Sequence, residues 1–213
     1  MRIESLTPSQ KVQGRWIAVF EDGSKLKLTD REMVDFSLYA GLEVPDAALE
    51  QLRDAAGESA ARRRAANILS ARPLSRRELE KRLVEKGETP AHAAAAADYM
   101  EHLGYLNDET YAKMLAEYYA AKGYGPRKVR DELYRRGVPR EFWDAALESP
   151  DTPDDKLDAF IAARLRRVEH PERADFKRVS DALARRGYAW GDISAAIRRY
   201  QREHEVEGED EEF

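Results

Sequence analysis

Arg77-Glu78-Leu79-Glu80-Lys81-Arg82-Leu83-Val84-Glu85-Lys86-Gly87 is followed 50 residues later by Arg127-Lys128-Val129-Arg130-Asp131-Glu132-Leu133-Tyr134-Arg135-Arg136-Gly137. A further 50 residues on stands Lys177-Arg178-Val179-Ser180-Asp181-Ala182-Leu183-Ala184-Arg185-Arg186-Gly187. Each segment opens on a cation, carries aliphatic residues four apart, and closes on a cation and a glycine. The four-residue spacing puts Leu79 with Leu83, Val129 with Leu133, and Val179 with Leu183 on one helix face, and the next position (Val84, Tyr134, Ala184) is expected to extend that face. The closing glycine suits the left-handed residue that ends a helix. Agreement continues downstream: Ala93, Trp143 and Ile193 correspond, as do Ala97, Leu147 and Ile197, and Ala96, Ala146 and Ala196 are identical. This many matches at one offset, without a gap, mark an internal repeat.

The flanking punctuation fits helices. Ser75-Arg76-Arg77-Glu78 has the form of a capping box, and Pro90, Pro126, Pro139 and Pro153 each suit a first helical turn. The expected fold is mainly α: three tandem three-helix repeats, in residues 58–107, 108–150 and 151–202, stacked as an elongated array in which each copy covers its neighbour. The first 57 residues differ. Gly14 to Phe20 is rich in strand formers, Asp22-Gly23 signals a hairpin turn, and Lys25 to Thr29 alternates polar with apolar. Ile3 to Leu6 can add a strand. A helix capped by Thr29 or Asp30 is expected to reach about Tyr39, and a second to run from Asp46 to Ala56 and close at Gly57. Residues 1–57 thus read as a β-hairpin and helix module, and 203–213 as an acidic disordered tail.

The chemistry available is narrow. With no cysteine among 213 residues, disulfides, thiolate metal sites and thiol nucleophiles are excluded. The longest apolar runs, Ala93 to Ala97 among them, are five residues, far short of a membrane span, and Met1 to Ser5 has no apolar signal core, so a cytoplasmic protein is expected. The four histidines, His92, His102, His170 and His204, make no metal-binding spacing, and no phosphate-binding glycine loop is present. Solvated surface positions are expected for them. No catalytic residue, metal or cofactor is assigned.

Charge is more informative. Residues 58–202 hold 29 basic and 24 acidic residues, whereas 203–213 hold seven acids and no base. The resulting body is mildly basic, compatible with nucleic acid or an acidic partner, but so small an excess is a weak guide. Arg76 and Arg77 in the first copy, and Arg127, Lys128, Arg130, Arg135 and Arg136 in the second, are candidate contacts to a protein groove or to phosphate. The acids mixed among them favour, from pattern alone, an ordinary solvated helix face. Arg62-Arg63-Arg64 is placed at a helix start, against the dipole. Of the aromatic cluster between Tyr99 and Trp143, most is expected to pack. Tyr124, in the turn Gly123-Tyr124-Gly125-Pro126, is the expected exposed anchor.

Three segments also resemble a known family. Ala65-Ala66-Asn67-Ile68-Leu69-Ser70-Ala71-Arg72-Pro73-Leu74-Ser75, with Glu78-Leu79, Leu83 and Lys86-Gly87 after it, is the first. Leu103-Gly104-Tyr105-Leu106-Asn107-Asp108, then Tyr111-Ala112, is the second. Lys122-Gly123-Tyr124-Gly125-Pro126-Arg127-Lys128-Val129, then Leu133 and Gly137-Val138, is the third. Together they resemble RecX, the bacterial regulator of the RecA recombinase, over about residues 60–148. The resemblance implies a non-enzymatic protein of three tandem three-helix repeats. It implies binding to RecA and its filament on single-stranded DNA, with restraint of recombinase, ATPase and coprotease activity in DNA repair and the SOS response. A monomer is expected. Direct binding of single- or double-stranded DNA, and a scaffold role toward another protein, stay open as alternatives.

Overall fold

The computed structural model describes residues 1–148 and 153–209. The chain divides into two compact units, Met1–Asn107 and Asp108–Phe213. In the first unit, β1 (Ile3–Pro8), β2 (Arg15–Phe20) and β3 (Lys25–Thr29) precede α1 (Asp30–Asp35), α2 (Asp46–Ala71), α3 (Arg76–Glu85) and α4 (Pro90–His102). The second unit holds α5 (Asp108–Ala121), α6 (Pro126–Arg135), a 3-10 turn (Arg140–Phe142) leading into α7 (Trp143–Leu147), α8 (Pro153–Leu165), α9 (Arg173–Arg185) and α10 (Trp190–Glu209). Among the described residues no helix is long and apolar enough to cross a membrane.

The sheet is antiparallel in the order β1-β2-β3. Its register sets Leu6 and Leu26 against Ala18, and Leu28 against Trp16. Alternation then sends Ala18, Phe20 and Leu28 to one face, where they pack with Ile3 and with Leu49, Leu52 and Ala56 of α2. At the turn between β2 and β3 the Gly23 N–H donates to Phe20 O at 2.8 Å, and Asp22 Oδ1 accepts the Ser24 N–H at 2.9 Å. Gly23 has φ +78°, a conformation that glycine adopts without steric cost.

Two helix expectations are corrected. The helix after β3 stops at Asp35, not near Tyr39. The chain beyond it instead pairs with β1: Ile3 N–H donates to Leu42 O, and Gly41 N–H to Ile3 O. Thr29 does cap α1, in a capping box with Glu32, which also accepts from the Ser59 hydroxyl of α2. The second correction is at Gly57, which does not end a helix. Helix α2 runs unbroken from Asp46 to Ala71. Gly57 serves close approach, since a Cβ there would collide with the His92 ring of α4. That ring is half-buried rather than a free surface group, and His92 Nε2 hydrogen-bonds Asp54 Oδ1 at 2.8 Å. The Arg62-Arg63-Arg64 triplet therefore sits in mid-helix. Arg62 pairs with Glu58 and lies 4.7 Å from the Tyr99 ring centre, and Arg64 reaches Glu88 at 3.0 Å and the Lys86 carbonyl.

The three-helix copies are the C-terminal part of α2 with α3 and α4, then α5 with α6 and α7, then α8 with α9 and α10. Each has its own core. Leu79 and Leu83 pack with Ala93, Ala96 and Ala97; Val129 and Leu133 with Ala146; Val179 and Leu183 with Ile193 and Ala196. The middle helix of each copy ends alike. Gly87, Gly137 and Gly187 have φ of +93°, +69° and +91°. The N–H of the next residue, Glu88, Val138 or Tyr188, donates back to the carbonyl of Leu83, Leu133 or Leu183. That is the Schellman arrangement, which satisfies carbonyls left open at a helix end.

The expected third apolar position is a correction. Val84, Tyr134 and Ala184 are exposed in all three copies. At 100° per residue, a residue five positions along lies about 140° from the start of the face and so leaves it. The tail also departs from expectation. Helix α10 extends to Glu209, and the His204 ring stacks on Tyr200 at 3.9 Å, so 203–209 continue a helix already nucleated by a packed face. Residues 149–152 and 210–213 lie outside the described residues.

Gly187 carries a second demand. A Cβ there would stand 2.5 Å from the Lys128 backbone nitrogen. Gly187→Ala is expected to combine left-handed strain with overpacking and to lower stability by about 2–4 kcal/mol. Urea unfolding followed by circular dichroism measures this. The same substitution at Gly87, where a Cβ would meet nothing within 4 Å, is expected to cost only the strain, about 1 kcal/mol.

Candidate partner-binding face

The residues singled out for partner contact separate by environment. Helix α6 is strongly amphipathic, with Val129 and Leu133 inward and Arg127, Arg130, Asp131, Tyr134 and Arg135 outward. Between the two faces lies Glu132, only 7% exposed. It gathers cations: Arg135 donates to Glu132 Oε2 from Nε at 3.0 Å and from Nη2 at 2.5 Å. Lys128 lies 3.7 Å from Oε1, and Arg136 Nε 3.8 Å from Oε2. Arg136 also donates to the Tyr111 hydroxyl at 2.9 Å. Burial pushes the Glu132 carboxyl upward, but the Arg135 hydrogen bond and charge, a hydrogen bond from Tyr119 and the nearby Lys128 outweigh it and hold the group below its ordinary value.

Lys128, Arg135 and Arg136 are thus partly committed within the fold. Arg76 is committed further. It pairs with Glu80 of its own helix at 2.8 Å and joins α3 to α4 through Asp98 at 2.6 Å and Glu101 at 2.6 Å. Desolvation opposes its charge, yet the three carboxylates hold it protonated above its usual value. Arg77 and Arg127 are different: both are exposed, and neither makes an ion pair among the described residues. Arg130 is exposed and only 3.8 Å from an exposed Asp144, a pair worth little in water.

Tyr124 is half-buried, which corrects its expected exposure. Its ring meets Tyr119 edge-on at 5.7 Å, and the Arg186 guanidinium lies 6.0 Å from its centre. The turn around it is held by the third copy. Gly125 N–H donates to Arg186 O at 2.8 Å, and Arg127 N–H to Gly187 O at 3.1 Å. The open N–H groups at the start of α6 therefore meet the open carbonyls at the end of α9, and the two helix dipoles align. A Cβ on Gly125 would stand 2.6 Å from the Gly187 carbonyl. Arg186 Nη1 donates to Gly123 O at 3.1 Å, while its guanidinium covers Phe160 at 4.7 Å. Lys122-Gly123-Tyr124-Gly125-Pro126 is thus a joint between the second and third copies.

Comparisons with known proteins decide the family. Residues 61–100 match the RecX first three-helix domain and 107–147 the RecX second three-helix domain. The regulatory protein RecX of Thermus thermophilus is 38% identical over 115 residues, which span 54% of this chain and 75% of that protein. The chain belongs to the RecX family. A RecX of Lactobacillus delbrueckii is 28% identical over 148 residues, covering 69% of this chain and 55% of that one. A crystal structure titled regulatory protein RecX superposes over 92% of this chain and 98% of its own, with a TM-score of 0.73 at 19% identity. It shares the fold.

The two matched RecX segments contain all eight candidate residues. Sequence reasoning missed Glu132, Arg186 and Tyr134. Glu132 looked like one more surface acid; its place one residue before the buried Leu133 was the available signal. Arg186 looked like one of a row of cations, and nothing in its position told a structural role from a free one. Tyr134 was assigned to the apolar face.

Glu132→Gln is expected to destabilise the fold by about 1–3 kcal/mol at pH 7, the range for charge-assisted bonds left half-made. The carboxyl is held lower in the folded chain than in the unfolded one. Its contribution is therefore full above the ordinary glutamate value of about 4.3 and is lost as pH falls through the lowered folded value. Denaturation of both chains across pH 7 to 3 should show the gap narrowing on the acid side.

Proposed function

We propose that this chain is a non-enzymatic regulator that binds RecA and its filament on single-stranded DNA and mostly inhibits recombinase, ATPase and coprotease activity. The observation that carries this is its similarity to proteins named regulatory protein RecX, over the first two three-helix domains and at 38% identity. The architecture is consistent with the role. Tandem copies offer more than one face to one polymer, and linked contacts raise apparent affinity for a filament over a free subunit without any new contact. Arg77, Arg127 and Arg130 are the exposed cations best placed for polar contact. Arg76, Lys128, Arg135, Arg136 and Tyr124 act chiefly by holding the helices that present them.

The test is RecA ATPase on single-stranded DNA, titrated with the full chain far below one copy per RecA. Loss of activity at such ratios is expected, since one bound copy alters many subunits of a filament. Unchanged activity up to equimolar chain sets the reading aside. Direct DNA binding would show as affinity for DNA without RecA that falls steeply with salt.

A further inference from the structure

The repeat supplies an internal control for Tyr134. The equivalent residues, Val84 in α3 and Ala184 in α9, are exposed too, with Val84 43% and Tyr134 66% accessible. The fold sends this position outward in every copy and accepts valine, tyrosine or alanine there, so packing does not require an aromatic ring in the second. Seven residues before it stand Arg77, Arg127 and Lys177, all exposed and none in an ion pair among the described residues. Seven residues is nearly two helical turns, which returns within about 20° of the same face and sets the two positions about 10 Å apart. Arg77 occupies the first turn of α3, where a cation opposes the helix dipole, and Arg127 the first turn of α6, where the carbonyl end of α9 offsets that dipole and leaves the cation without net support. Folding favours neither the tyrosine nor the arginine.

From this we propose that the outward face of α6, anchored by Tyr134 with Arg127 and Arg130 beside it, is the docking surface of the second copy for a protein partner. That partner presents an apolar depression and, about 10 Å away, a carboxylate. The charge distribution favours protein over nucleic acid. Asp131 lies between Arg127 and Tyr134 on the same face, which opposes a continuous run of phosphates. Lys128, Arg135 and Arg136 turn toward Glu132, and the equivalent positions in the other copies offer no ring on which bases could stack. Tyrosine and arginine are among the residue types enriched at the few positions that dominate binding energy in protein interfaces. The inference rests on the RecA reading for the identity of the partner and adds the face that meets it.

The experiment measures equilibrium binding of the full chain to RecA filaments on single-stranded DNA, and to the DNA alone, for the parent and for Tyr134→Ala and Arg127→Glu. Both residues are exposed, so melting temperature and helicity should stay at parental values. Each substitution should weaken filament binding at least about tenfold, as anchors at an interface centre do. Parental affinity in both variants, with the parent binding well, overturns the face and leaves the RecA reading standing. No binding by the parent overturns both. Equal losses on bare DNA, in a strongly salt-dependent interaction, would make the partner nucleic acid and overturn the inference as stated.

Discussion

The described structure depends on a backbone constraint repeated three times: the middle helix of each copy must stop at a left-handed residue. Gly87, Gly137 and Gly187 meet it, and the bond from the following N–H to the last core leucine fixes the direction in which the chain leaves. That direction delivers the next helix onto the same leucine. A copy of three short helices has little apolar area to hold it in register, so the geometry of this turn matters more here than it would in a large core. The residue after each glycine shows how copies differ within a fixed frame. Val138 and Tyr188 are buried apolar side chains, whereas Glu88 takes the corresponding place and pairs with Arg64.

The repeat, the turns and the strands were legible because they rest on local rules. Leucine spacing, glycine after a cation, and Asp22-Gly23 each point to a conformation within a few residues. Most of what failed required knowledge of distant neighbours. Gly57 reads as a helix end on local grounds, yet its role comes from His92, 35 residues away. Tyr124 reads as an exposed turn residue, yet the turn leans on Arg186 and Gly187. Val84, Tyr134 and Ala184 could have been placed correctly, since helical angle alone puts them off the apolar face. The candidate cations were found as a group, but which of them are committed to Glu132 or to Asp98 and Glu101 depends on where those carboxylates fold.

Charge in this chain has two separate uses. One set of cations is consumed in joining helices: Arg76 across α3 and α4, Arg186 over the end of α5, and Arg199 to Asp158 across α10 and α8. The other set stays in water on the outer faces of the middle helices. The net charge of a repeat cannot separate them, which is why the modest excess of bases over residues 58–202 was a weak guide to partners. A RecX-family chain can carry a nearly balanced charge and still present discrete cationic positions.

The unbroken α2 helix has a consequence for how this chain can vary. Its first half packs on the sheet and its second half on α3 and α4, so it acts as a shaft shared by two bodies. One residue inserted near Gly57 would turn the sheet by about 100° about that shaft and advance it by about 1.5 Å. Insertion of seven would nearly restore the phase while lengthening the separation by about 10 Å. The N-terminal module is therefore keyed to the first three-helix copy by angle as well as by contact, and length changes in this helix are confined to whole turns.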